Sequence, residues 1–178
     1  MFMENDTQAN PLLRDASLLP AFDEITVEHV EPGVLELVRE VGGMIDALEA
    51  SATPNWSGVV EPLEKLQDRL GFGWGLVEHL LSVKNSGELR TAYQKVEPEV
   101  VKLSMRLAQS QAIYQCLVTL RDRQDAECLD ESQKRIVDKL IEEADLAGVG
   151  LTGESRQRFN DNKLRFAEAS TRFGNQLL

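Results

Sequence analysis

Apolar side chains recur every three or four positions along most of the chain, which is the spacing of one face of an α-helix. The first such stripe follows Thr26, a residue type that often caps helix N-termini, and it continues to about residue 50. Pro32 is expected in the first turn of this helix, where its missing N–H costs little. The stripe consists of Val30, Val34, Leu37, Val38, Val41, Ile45 and Leu48.

A second helix is predicted to begin at Trp56, with Asn55 as its cap and with a kink in its early turns at Pro62. Residues 84–87 then form a short turn, in which Ser86 is the expected cap of the next helix. Because short turns favour antiparallel neighbours, these two helices are expected to pack side by side. The apolar stripe of the second helix is Leu63, Leu66, Leu70, Val77 and Leu80.

The third segment has the most regular pattern, because its apolar residues alternate by four and three positions. It predicts either one long helix or a pair of helices broken near Pro98. The pattern consists of Leu89, Tyr93, Val96, Val100, Leu103, Leu107, Tyr114 and Leu117.

Two further helices are predicted after a polar loop. Asp130 and Gln133 match a capping box at the start of the fourth helix, and Gly148 and Gly150 are expected to end it. Its inward residues are predicted to be Ile136, Val137, Leu140, Ile141 and Ala144. Thr152 is the expected cap of the fifth helix, in which phenylalanines recur at positions 159, 166 and 173.

No stretch alternates polar and apolar residues as a β-strand would, so the predicted class is all-α. The expected architecture is an antiparallel helical bundle or array of about five long helices. Residues 1–25 carry Pro11 and Pro20 and are predicted to form an extended N-terminal arm, anchored by Phe22 and Ile25. Residues 26–178 are predicted to form a single helical domain, since a chain of this length can bury one core.

The net charge of −11 argues against nucleic acid and anionic lipid as partners, because phosphate groups would be repelled. No run approaches the roughly 18 apolar residues that span a bilayer. The first residues have neither an apolar signal core nor the Arg-rich character of a transit peptide. We therefore expect a cytoplasmic protein, or an organellar one if a transit peptide was removed before residue 1.

Candidate chemistry is sparse. The two histidines, His29 and His79, are fifty positions apart, whereas a zinc-binding helix places two histidines four residues apart. Cys116 and Cys128 form no Cys-x-x-Cys pattern, and no serine lies in a nucleophile-elbow context. The sequence therefore predicts no catalytic, metal-binding or cofactor-binding residue in this chain.

Three glycines interrupt the second helix at positions 71, 73 and 75, at a cost in helix propensity of about 2 to 3 kcal/mol. A phosphate-binding loop would need a preceding strand, which the pattern lacks. Close packing of helices beside Trp74 is the expected explanation.

Several segments together resemble the N-terminal helical region of the thimet oligopeptidase and oligopeptidase A family of zinc metallopeptidases. They are residues 10–13, 19–34, 60–70, 74–93, 148–151 and 172–178, which read NPLL, LPAFDEITVEHVEPGV, VEPLEKLQDRL, WGLVEHLLSVKNSGELRTAY, GVGL and RFGNQLL. The resemblance runs the length of the chain but covers only a minor, N-terminal fraction of that family's polypeptide. It implies a helical region that forms part of one wall of a deep channel for short peptides. The family's zinc belongs to a later catalytic part, and no position here matches its H-E-x-x-H helix.

The leading expectation is therefore a non-catalytic N-terminal domain of an oligopeptidase-like protein, either as a fragment or as a truncated paralogue. It would shape substrate access and pack against the catalytic portion of such a protein. The alternative is a free-standing acidic helical module that binds a protein partner, or itself as a homodimer; an enzyme with an unrecognised site is a third reading. In either of the first two cases, the expected partner interface is the apolar end of the last helix, formed by Phe166, Phe173, Leu177 and Leu178.

Overall fold

The computed structural model of the chain describes residues 10–15, 19–123 and 129–176. These ranges contain six α-helices, a 3₁₀ turn at Pro11–Leu13 and a π-helical turn at Trp56–Val60, and they contain no strand. The prediction of an all-α fold is confirmed. The helices are α1 Val27–Ser51, α2 Glu61–Val83, α3 Gly87–Ala108, α4 Gln111–Asp122, α5 Glu131–Leu146 and α6 Gly153–Gln176.

Polar caps begin most of these helices where the sequence predicts them. The side chains of Asn55, Ser86 and Asp130 each accept a hydrogen bond from the backbone N–H three residues later, and Ser110 does the same at the start of α4. Gly148, with φ of 81°, follows α5 in the left-handed conformation that glycine adopts without a steric penalty. The predicted element boundaries therefore have a direct local cause.

Helix α1 is the centre of the fold, because α2 and α3 both pack against it. Its predicted apolar stripe is almost wholly buried, and only Val38 of the seven positions is partly exposed. A second cluster of buried residues joins the end of α1 and the π-helical turn to α4 and α5. This second cluster includes Leu48, Val59, Val60, Ile113, Leu117, Val137 and Ile141.

The described part of the N-terminal arm lies against α1 and α2. Leu12 is only 1% exposed, and the Asn10 side chain donates a hydrogen bond of 2.8 Å to the carbonyl of His29. Ile25 is buried as predicted, whereas Phe22 is 36% exposed and its ring lies 5.0 Å from that of His79. Leu12 is thus an anchor that the sequence pattern did not reveal. The division at residue 25 into an arm and one domain stays a prediction.

The break in the third segment lies at Gln109–Ser110, so neither predicted alternative, one long helix or a break near Pro98, is correct. Pro98 is exposed, and the carbonyl that its missing N–H leaves free can therefore be solvated. Gln109 and Ser110 are buried, and Ser110 caps α4 while its hydroxyl donates to Glu49 at 2.6 Å. Side-chain hydrogen bonds rather than proline end α3, and the five predicted segments become six helices.

Two other expectations need correction. Pro32 is the sixth residue of α1 and is not in its first turn, but it is also exposed to water, which can solvate the free carbonyl. In α5 only Val137 and Ile141 are fully buried, whereas Ile136 is 38% exposed. The helix presents a narrower apolar face to the core because α4 is its main neighbour. Pro62 lies in the first turn of α2, directly after the π-helical turn, and the kink expected there stays a prediction.

The three glycines of α2 have different surroundings. A Cβ atom at Gly73 would lie 2.6 Å from Leu37 Cδ2 and 3.3 Å from the carbonyl oxygen of Leu12, whereas a Cβ at Gly71 or Gly75 would meet nothing within 4 Å. Close packing therefore explains only Gly73.

No helix within the described ranges is long and apolar enough to cross a membrane.

We predict that Gly73→Ala lowers the free energy of unfolding by about 1 to 3 kcal/mol, because the buried Leu37 and a backbone carbonyl oppose the added methyl group. Gly71→Ala should instead raise it by up to about 1 kcal/mol through helix propensity alone. Urea denaturation of the two variants measures both effects. Equal shifts for both variants would contradict the close approach at Gly73.

We also predict that Leu103→Ala lowers the free energy of unfolding by about 2 to 5 kcal/mol, since Leu103 is buried between α1 and α2. Lys102→Ala removes only an exposed contact with Glu99 and should cost less than about 1 kcal/mol. Thermal denaturation followed by circular dichroism compares the two. Small and similar shifts would show that the α3 stripe does not face the core.

Candidate functional site

Helix α6 is the most exposed element of the fold, because none of its residues is fully buried. It packs along α3, and its start is fixed by the side chain of Gln109, which is only 2% exposed. The Gln109 amide nitrogen donates to the carbonyl of Ala147 at 2.9 Å and to Asn160 Oδ1 at 2.7 Å, and its oxygen accepts from Arg156 Nε at 3.0 Å. One buried amide thus connects the α3–α4 junction, the end of α5 and the first turns of α6.

A second polar contact holds the far half of α6. Thr171 Oγ1 donates to Glu97 Oε1 at 2.5 Å, and Tyr93, whose ring stacks on Trp74 at 4.8 Å, also hydrogen-bonds to Glu97. Burial raises the pKa of the Glu97 carboxyl against the lowering effect of these two hydrogen bonds. Burial likewise raises the pKa of Tyr93. Glu97 is therefore a partly desolvated carboxyl whose role here is to attach α6 to α3.

An apolar groove of about 640 Å³ opens beside α6. Its floor is formed by side chains of α2, α3, α4 and α5, including Leu70, Trp74, Met105 and Leu140. Phe166 of α6 stands at its edge and is 73% exposed. Such a groove can take bulky apolar side chains.

The expected interface residues are partly visible. Phe166 and Phe173 are 73% and 64% exposed, whereas Phe159 is half-buried, with Lys163 Nζ 5.5 Å from its ring centre. The structure thus brings Phe166 and Phe173 onto one uncovered side of α6, and their role as an interface stays a prediction. Leu177 and Leu178 lie outside the described residues.

The histidines lie apart and have local contacts. His29 Nδ1 accepts a hydrogen bond from the backbone N–H of Thr26 at 3.1 Å and so completes the cap of α1, while His79 on α2 contacts Phe22 at a ring distance of 5.0 Å. Within the ranges that the structure covers, no three histidine, cysteine or carboxylate side chains converge as a metal site would require. These residues do not fit the zinc that the resembling family uses. Burial raises the pKa of the Cys116 thiol, and Cys128 lies outside the described residues.

Sequence reasoning missed Gln109, Glu97 and the groove. Each depends on which helices become neighbours, and a buried glutamine has no periodic signature. The exposed side of α6 did have a signal, because its phenylalanines recur every seven residues without other large apolar residues beside them.

Residues 34–156 match the family model of the neurolysin/thimet oligopeptidase N-terminal domain. The chain is 37% identical over its whole length to a probable cytosolic oligopeptidase A of Arabidopsis thaliana, and 39% identical over 96% of its length to an organellar oligopeptidase A of the same plant. It is also 34% identical over 95% of its length to oligopeptidase A of Escherichia coli.

The match covers only a small part of each relative. The chain spans about a quarter of the length of the first of these relatives and of the bacterial one, and 21% of the organellar protein. The family model covers more than half of the chain, from within α1 to the first turn of α6. The chain is therefore a member of the neurolysin/thimet oligopeptidase family and corresponds to its N-terminal domain.

Proposed function

We propose that this chain is a non-catalytic domain of an oligopeptidase A-like zinc metallopeptidase, which shapes access to a channel for short peptides and packs against the catalytic portion. The observation that carries the proposal is the uncovered side of α6, where Phe166 and Phe173 lie exposed and Phe166 borders an apolar groove. Large exposed aromatic side chains are typical of surfaces that another polypeptide covers. In this proposal, the catalytic portion that family members carry covers the exposed side of α6.

The domain's own residues support a positioning role better than a chemical one. The histidines cap a helix and contact a phenylalanine, and the partly buried carboxyl of Glu97 is used to hold α6. Zinc, in this proposal, is held by the catalytic portion and would there polarise the scissile peptide and activate water. This chain would contribute a rigid helical wall.

A second candidate function is a free-standing acidic interaction module, and the same exposed phenylalanines favour it. In that case the exposed side of α6 would be covered by a second copy of the chain or by an unrelated protein.

We propose that the protein is cytoplasmic; the relatives named above include both a cytosolic and an organellar protein. Tagging at the C-terminus and imaging in the source cells tests the location.

We predict that the purified chain alone holds no stoichiometric zinc and cleaves no peptide, because its histidines are committed to separate local contacts. Metal analysis together with a quenched-fluorescent peptide assay measures both properties. Tightly bound zinc with turnover that a chelator abolishes would overturn the assignment of a non-catalytic role.

We further predict that the chain associates with the part of the Arabidopsis thaliana cytosolic relative that lies outside the matched quarter, when the two are co-expressed. Burial of an aromatic side chain in such a contact stabilises it by about 25 cal/mol per Å² of apolar area. Phe166→Asp and Phe173→Asp should therefore each reduce co-purification at least about tenfold. The matched control is Val83→Asp, which changes a 65% exposed apolar residue at the end of α2.

Light scattering across a concentration series separates the two candidate functions. A complex with the relative's catalytic part and a monomeric free chain would support the proposed domain role. Concentration-dependent dimers that Phe173→Asp disrupts, with no complex in co-expression, would support the free-standing module instead.

A further inference from the structure

Helix α6 carries an arginine–phenylalanine pair three times at a spacing of seven residues, at positions 158–159, 165–166 and 172–173. Seven residues make nearly two helical turns, so each residue type forms a nearly straight row with about 10.5 Å between members. The 24 residues of α6 give these rows a helix of about 36 Å. A repeated pair at this spacing defines a long, uniform surface.

The arginine row is exposed, and each arginine has an acidic residue four positions earlier on the helix, at Glu154, Asp161 and Glu168. Arg158, Arg165 and Arg172 have no carboxylate within ion-pair distance among the residues that the structure describes. Two arginines of the preceding helices differ, because Arg69 is paired with Glu40, and Arg106 with Asp46 and Glu49. The guanidinium groups of the row are thus available to a partner, which they can bind bidentately.

The charge of α6 also differs from that of the whole chain. The helix carries five cationic and three anionic side chains, for a net charge of +2, whereas the chain as a whole carries −11. The three anionic side chains form a row on the side of the arginines that is turned away from the phenylalanines, so a partner that approaches between the arginine and phenylalanine rows meets cationic side chains. Charge complementarity of this kind selects a negatively charged partner and fixes its position along the arginine row.

Small or short polar side chains lie between the two rows. Ser155, Asn162 and Ala169 occupy this middle line, and all three are exposed. Helix backbones approach each other closely where small residues separate longer ones. The face therefore has an arginine edge, a shallow middle and a phenylalanine edge, and the phenylalanine edge borders the apolar groove at Phe166.

We propose that this face of α6 docks an acidic amphipathic helix supplied by the catalytic portion of the polypeptide. The inference rests on the proposed domain function and adds the chemistry of the contact. Carboxylates of the docked helix pair with the arginine row, and its apolar side chains pack on Phe166 and Phe173 and enter the groove. A helix fits because its own seven-residue spacing matches that of both rows.

A second copy of the chain fits the face less well. The most acidic helix of this domain is α1, and the structure shows several of its carboxylates already paired. Glu31 contacts Lys95, Glu36 contacts Arg39, Glu40 contacts Arg69, and Asp46 and Glu49 contact Arg106. We therefore assign the acidic helix to the catalytic portion of the polypeptide and not to a second copy of this chain.

The decisive variant carries Arg158→Gln, Arg165→Gln and Arg172→Gln, which removes the charges but keeps residues of high helix propensity. A second variant reverses the three charges to Glu. The matched control for the Glu variant changes Lys65, Lys84 and Arg135 to Glu, so that the net charge of the chain changes by the same amount at positions outside α6. These three residues also lack an ion pair in the described structure. Circular dichroism checks that each variant keeps its helix content.

Each variant is co-expressed with the non-matching three quarters of the Arabidopsis thaliana cytosolic relative, and the purified complex is challenged with 50 to 500 mM NaCl. The wild-type complex should weaken with salt, the glutamine variant should lose at least about tenfold in affinity with a flatter salt dependence, and the glutamate variant should lose more. The control should change affinity less than about threefold. A complex that all variants form equally would overturn the acidic-helix inference while leaving the proposed function intact.

A peptide experiment tests the face without the relative. A synthetic three-heptad helix with Glu and Leu should bind the 178-residue chain, and its counterpart with Lys in place of Glu should not, despite the chain's overall charge of −11. Binding of the acidic peptide should be lost in the glutamine variant. Equal affinity for the two peptides would overturn the proposal, as would dimers of the chain that depend on the three arginines. Failure of the wild-type chain to form any complex in co-expression would overturn the proposed function together with the inference.

Discussion

The burial of one side of α1 is the constraint on which the rest of the structure depends. Its stripe contacts α2 and α3 at once, and full burial of a single valine or leucine side chain is worth about 1.5 to 3 kcal/mol. The close approach of α2 is possible because Gly73 leaves room for Leu37 of α1 and for the backbone of the arm at Leu12. Three elements that are distant in sequence therefore meet at one glycine.

The position of α6 is set by the junction between α3 and α4. Gln109 and Ser110 interrupt the third segment inside the protein, and the Gln109 amide binds the end of α5 and the start of α6 together. From there α6 runs along α3 to the contact between Thr171 and Glu97. Because both attachments are polar and no residue of α6 is fully buried, the helix is held in place without being covered. That arrangement leaves a surface for another part of the protein.

Charge and apolar area act together on that surface. The net charge of −11 opposes anionic partners in general, whereas in our proposal the arginine row binds them along one side of α6. The phenylalanines supply the apolar contact that charge alone lacks, since exposed ion pairs are individually weak. In the proposed role, these two features together would give a specific, oriented contact with the catalytic portion, which a channel wall requires if it is to keep its shape.

The sequence by itself determined the helices, most of their caps, the family and the absence of a paired-histidine motif. These are local properties: an apolar period, a side chain that reaches its own backbone, and short segments of recognisable residues. The placement of Pro32 in the first turn of α1 and the alternative of a break near Pro98 were wrong, because the effect of a proline depends on whether the freed carbonyl meets water. That in turn depends on which side of the helix faces the core. Only the tertiary structure decided that Gly73 and not Gly71 is closely packed, that Gln109 joins three elements, and that the phenylalanine row lies uncovered. Each of these depends on contacts between residues far apart in the chain, for which no periodic pattern exists.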